Sequence, residues 1–405
     1  MQWAVAVSSV LVAACAAVRT PPAVPPLPSQ GGPAWIAIES EHFTVWSDAA
    51  EPQGRRLLAA MERLREVIYG TSMFGGSASA ARIVVVAFRN AEEVGEYLPK
   101  EFAAYATGAG ALFQPVVVID ANAIDEHPQV LAHELAHAIS FGVISDQPPW
   151  FAEALAGYYE TVQLSGSTRV VVGKPLADRV ATLGRLHPRP MADVFACTSN
   201  SCMDARFYAT TWALFLFLAT EHEAALSAYM TALYHATPAT RDAAFVSSFP
   251  QFADPSALDH ALAQWIARDR LLVREYRIEH ALTSTGPARS LDDAGALVAR
   301  GVARFAWVRT TMPDELVAAL AIDPTNVPAR MIESQVRQGG DPALMRAVAE
   351  AHAENWRAWW LLEYALYQEH VDREAQATAY ATMCKLVRSN PDGAVIPPAF
   401  CPDPD

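Results

Sequence analysis

Apolar residues recur every three to four positions along several stretches of this chain, and the clearest case runs from residue 128 to residue 141. There Val130, Leu131, Leu135, Ala138 and Ile139 fall on one side of a helix. Pro128 suits the first turn of that helix, and Gly142 supplies a stop signal. Pro148 and Pro149 then open a second helix, running from Trp150 to Glu160. The segment ARFYATTWALFLFLATEHE, from residue 205, is apolar on nearly every side. Its uninterrupted apolar core is too short to span a bilayer, so it predicts a buried helix. Residues 255–282 predict one long amphipathic helix, and TSTGPARS after it reads as a boundary.

The first helix carries chemistry on its polar side. His133-Glu134-Leu135-Ala136-His137 is an HExxH pattern, which sets two imidazoles one turn apart so that both can grip one metal ion. Glu134 stands about 100° round from His133, where its carboxylate flanks the ion and can take a proton from a bound water. After fifteen intervening residues comes Glu153, early in the second helix. Two helices joined by a short loop bring that carboxylate to the imidazoles. Two His and one Glu with an open fourth position is a catalytic zinc arrangement, since a structural site closes with four protein ligands. Glu160, two turns beyond Glu153, is placed to orient a ligand imidazole. The other nine histidines show no second metal-ligand spacing.

HELAH followed by PPWFAEALAGYYE resembles the gluzincin branch of zinc metallopeptidases, most closely the compact bacterial peptidase-MA-like members. The resemblance covers residues 34–282. It extends to WIAIESEHFTVWSDAA, the helix through GRRLLAAMERLREVIYG, the strand in RIVVVAFRNAEEVGEYLP and an edge-strand candidate in ALFQPVVVIDANAI. It implies an α+β zincin-like catalytic domain: a small mixed sheet, the HExxH helix and a helical C-terminal lobe. By the same resemblance His133, His137 and Glu153 are the zinc ligands and Glu134 the general base. Tyr208 falls where such enzymes carry a tyrosine that donates to the developing oxyanion. The edge strand around Val116 to Ile119 is expected to hold an extended peptide by strand addition. The chain departs from the pattern at Ala152 and Ala154, where relatives often have Asn and Gly. It also lacks, in GAGALF, the acidic residue with which aminopeptidase relatives capture a substrate amine. An endopeptidase is therefore the expectation.

Composition narrows the setting. A length of 405 residues predicts two structural units, and 52% hydrophobic with 18% charged residues excludes general disorder. A net charge of −14 without clustered Lys and Arg excludes nucleic acid as a partner. Residues 1–14 form a short apolar run ending in small residues, the pattern of a secretory signal. Val12-Ala13-Ala14-Cys15 resembles a bacterial lipobox, which implies lipidation of Cys15 and attachment to a membrane of the cell envelope. Residues 15–33 are Pro-rich and read as a stiff tether. Four cysteines remain, and they permit three pairings; Cys197 with Cys202 and Cys384 with Cys401 are the nearest neighbours in sequence.

Residues 290–392 are weakly periodic. The turns at AIDPTNVPAR and VRSNPDGAV place Pro324 and Pro391 67 residues apart, close to two tetratricopeptide periods of ~34. Trp359, Leu362, Tyr364, Ala375 and Tyr380 read as packing positions of one such repeat, and about three helical hairpins are expected. An all-α repeat domain thus follows the catalytic one, with a concave face suited to a protein partner. Two functions stay open: an envelope-anchored zinc peptidase acting on peptides or proteins, or an envelope scaffold whose zinc site is structural or idle.

Overall fold

The computed structural model describes residues 25–71, 82–99, 102–108, 110–144, 147–165, 168–237, 239–268, 273–278, 285–370, 372–390 and 401. The signal segment and Cys15 lie outside them. The chain begins with strands β1 (Trp35–Glu39) and β2 (Phe43–Ser47), helix α1 (Glu51–Thr71), strand β3 (Ile83–Phe88), helix α2 (Ala91–Tyr97), and strands β4 (Ala104–Thr107) and β5 (Val116–Asp120). Helices α3 (Ala123–Glu126), α4 (Pro128–Val143) and α5 (Pro149–Tyr159) follow, then a hairpin of β6 (Gln163–Ser165) and β7 (Arg169–Val172). Next come α6 (Ala177–Leu186), α7 (Met191–Phe195), α8 (Ala205–Glu221), α9 (Glu223–Tyr234), α10 (Arg241–Ser248) and α11 (Pro255–Ala267). Strands β8 (Arg274–Arg277) and β9 (Arg289–Leu291) lead into α12 (Asp293–Val308), α13 (Asp314–Ile322), α14 (Val327–Arg337), α15 (Pro342–Ala351), α16 (Trp356–Glu369) and α17 (Arg373–Ser389).

The main sheet has six strands in the order β4-β5-β3-β2-β1-β9, with β2, β3 and β5 mutually parallel. Because side chains alternate along a strand, each strand feeds two cores. Val85, Ala87, Val117 and Ile119 face α1 and α4, packing with Leu57, Leu131 and Leu135. Val84, Val86, Val116 and Val118 face the opposite way, into a second core built with α12 to α16. The architecture is therefore mixed α and β with a helical C-terminal part, as expected in outline.

Four details differ from the sequence reading. Val116–Ile119 is not an edge strand: β4 pairs antiparallel with it, Ala104 opposite Ile119 and Thr107 opposite Val116, and takes the edge. A run of consecutive aliphatics suits a strand buried on both faces, whereas the short AYAT segment gives little signal of its own. The helix expected over residues 255–282 ends at Ala267, and Arg274–Arg277 pairs with β7. Alternation in Arg-Glu-Tyr-Arg, with Tyr276 packed inward, lets a strand win there. The end of the boundary segment, Arg289 and Ser290, is likewise part of the sheet, for β9 pairs with β1. Finally, the end of the Pro-rich tether is seated on α12, because the buried guanidinium of Arg300 donates to the Pro25 and Pro26 carbonyls at 2.8 and 3.3 Å.

In the C-terminal part α12 packs on α13 and α16 packs on both α15 and α17. Gly301 allows the first of these contacts, since a Cβ there would meet Leu316 at 2.4 Å. Disulfides join Cys197 to Cys202 and Cys384 to Cys401. No helix among the described residues is long and apolar enough to cross a membrane.

Candidate metal centre

Helix α4 buries Leu131, Leu135, Ala138 and Ile139 against the sheet and α1, and this orientation turns His133, Glu134 and His137 to the other side. Helix α5 packs across it and presents Glu153. The three ligand candidates meet. His133 Nε2 lies 3.1 Å from His137 Nε2, and Glu153 Oε2 lies 3.4 Å from the first and 3.5 Å from the second. They form the metal-competent cluster found among the described residues.

These lengths test the fit of an ion. Ligands ~2.0–2.1 Å from one zinc at tetrahedral angles stand about 3.3 Å apart, and the three observed edges bracket that value. Buried Glu153 Oε2 has no hydrogen-bond partner, as for an oxygen reserved for a cation. The donor set, two imidazoles and one carboxylate, suits zinc with one position open.

The surroundings hold these groups in place. Glu160, at the end of α5, puts Oε2 3.4 Å from His133 Nδ1 and is itself bound by Arg179 of α6. Phe141 stacks on the His137 ring at 5.6 Å between centroids. Burial opposes charge on His133, but the carboxylates of Glu153 and Glu160, one beside each ring nitrogen, outweigh it and push its pKa up to about 10. Burial also acts against the Glu153 carboxylate, yet the two imidazoles hold it well below the usual range. Glu134 is pushed up by burial, with the imidazoles and the Ala106 amide of β4 pulling the other way.

All of this lines one cavity of about 880 Å³, roughly the size that encloses a short peptide. Tyr208, at the start of α8, lines it as well. Burial first, then the charges of Glu153 and Glu134, push the Tyr208 phenol up, so it remains a neutral donor. Several lining groups carried no signal in the sequence: Arg179, Arg309, the β4 edge, and the disulfide-braced loop contributing Thr198 and Asn200. They come from remote segments, and only folding brings them together. Among known proteins, no family model matches the chain, and none of the curated proteins compared matches it either.

Proposed function

We propose that this chain is a zinc-dependent peptidase, acting as an endopeptidase in the bacterial cell envelope. The observation that carries the reading is the triangle of His133, His137 and Glu153, with edges near those of a tetrahedral zinc site and Glu134 beside it. A zinc ion held there would supply Lewis acidity, polarising a scissile carbonyl and making nearby water more acidic. The protein's own groups do the rest. Glu134, steadied by the Ala106 amide, accepts the proton of the attacking water and passes it to the leaving amine. Glu160 and Arg179 keep His133 oriented.

Tyr208 is a protonated donor on the cavity wall, suited to the oxyanion. Ala106 turns its amide toward Glu134, so its carbonyl and both main-chain groups of Ala104 also face outward from β4, and an extended peptide can add there as a further strand. Envelope attachment through Cys15 accords with the two disulfides, which persist in an oxidising compartment.

The test is direct. Purified protein should carry about one zinc per chain, and Glu153→Ala should lose most of it. Glu134→Gln should retain the metal and cleave an unstructured protein about 10²- to 10⁴-fold more slowly. A scaffold with an idle ion would show no cleavage to lose, and full activity in Glu134→Gln would sink the assignment.

A further inference from the structure

Among the described residues the cleft contains two guanidinium groups, and they are placed differently. Arg179 is committed, because it is buried and hydrogen-bonded to Glu160 behind His133. Arg309 is not. It caps the C-terminal end of α12, reaches the cavity wall, and donates through Nε to the Ala306 carbonyl at 3.2 Å. Among the described residues it has no carboxylate partner. It also hydrogen-bonds the phenol of Tyr105, on the edge strand, which leaves the remaining guanidinium N–H groups for a ligand.

The position is built rather than incidental. Trp307, two residues earlier, packs on Phe102 at 4.9 Å and on Tyr105 at 5.1 Å between ring centroids, pinning the end of α12 to the start of β4. A planar group with unused donors on the wall of a concave site is an acceptor for a carboxylate, which it can bind through two parallel hydrogen bonds.

We propose that Arg309 is a specificity-determining residue that receives a substrate carboxylate on the C-terminal side of the cleaved bond, an inference that rests on the peptidase reading. The side follows from the strand. Glu134 meets β4 at Ala106, which places the cleaved bond near that residue. A peptide added antiparallel to β4, the pairing β4 already makes with β5 on its other edge, runs from Ala106 past Ala104 toward Phe102 as it proceeds to its own C-terminus. Trp307 and Arg309 stand at that end. The carboxylate can belong to an acidic side chain or to the chain terminus.

The experiment uses full-length, zinc-loaded protein and one peptide sequence in five forms: free C-terminus, C-terminal amide, and amide with Glu after the cleaved bond, with Lys at that same position, or with Glu before the bond, each within three positions of it. Wild type should show kcat/KM about tenfold or more higher for a carboxylate form than for the plain amide, the scale of one charge-assisted hydrogen bond. Arg309→Met should bring that ratio toward one, and Arg309→Glu should reverse it in favour of Lys. Preference for the free terminus alone identifies a terminal carboxylate, and preference kept by the Glu-containing amide identifies a side chain. An unchanged ratio in Arg309→Met, or a preference for acids before the cleaved bond, would overturn the proposal. Anisotropy of the same labelled peptides on Glu134→Gln, with and without Arg309→Met, reads binding without turnover. Equal affinities for acid and amide there also overturn it, whereas selective binding without cleavage by wild type defeats the peptidase reading alone. Zinc content equal to wild type confirms that each variant folds.

Discussion

At the scale of single residues, the molecule places its costly groups where something compensates them. Glu62 is buried, but His42 supplies two hydrogen bonds, from its main-chain N at 3.1 Å and its ring Nδ1 at 2.8 Å, and these hold the carboxyl below its ordinary range against the opposing effect of burial. Asp48 shows the opposite case. Burial, then the neighbouring Glu93, raise its pKa to about 7, although the Arg89 amide donates to it at 2.8 Å. The folded protein therefore keeps a proton that the unfolded chain releases above pH ~4. The resulting stability is present at acid pH and is lost as pH rises from about 4 to 7, at up to about 1.4 kcal/mol per pH unit. Asp48→Asn should flatten this dependence. Urea unfolding at pH 5 and pH 7.5 measures it, and equal slopes for variant and wild type would exclude Asp48 as the source.

At the scale of elements, the cleft edge is held from outside the sheet. The turn between β4 and β5 starts in the cavity wall at Gly108 and Gly110 and ends by inserting Phe113 between Trp356 and Trp360 of α16, at 5.6 and 4.9 Å between centroids. Arg357 adds a hydrogen bond to the Leu112 carbonyl at 3.0 Å. A short edge strand such as β4 has one pairing partner, so this clamp supplies order that the ladder alone does not. Phe113→Ala should cost about 2 kcal/mol, below the ~3–5 typical of a fully buried Phe because this ring is half-buried. It should also raise KM more than it lowers kcat, since the edge that binds the peptide is loosened while Glu134, carried by α4, loses only its contact with the Ala106 amide. Thermal unfolding together with peptide kinetics checks both halves, and an unaltered KM would show that β4 holds its shape without α16.

At the scale of the whole molecule, the sheet is the shared wall of two cores. Trp35, Val86 and Val118 are buried together with Val302, Ala329 and Leu362, residues from opposite sides of the boundary segment. The seated tether and β9 tie the same halves together. Removing the C-terminal helices would expose an apolar sheet face, so the two parts should not unfold independently. Calorimetry of the intact protein should give a single cooperative transition. Two well-separated transitions would mean that the second core contributes little.

What the sequence determined by itself is local. Helical period and proline and glycine signals locate α4 and α5, and with them the spacing that sets His133, Glu134 and His137 on one face and Glu153 across from them. The two disulfides join cysteines that are near neighbours in sequence, where short loops make encounter easy. Tertiary structure alone decided which strand forms the edge, because a short polar-apolar segment becomes β4 only once the Val116–Asp120 run is buried on both faces. It alone decided that Arg274–Arg277 and Arg289–Leu291 become strands, by offering each a partner edge. It also brought Arg179 and Arg309 to the cleft, since nothing in the neighbourhood of either residue in the chain encodes contacts made by segments far away in sequence.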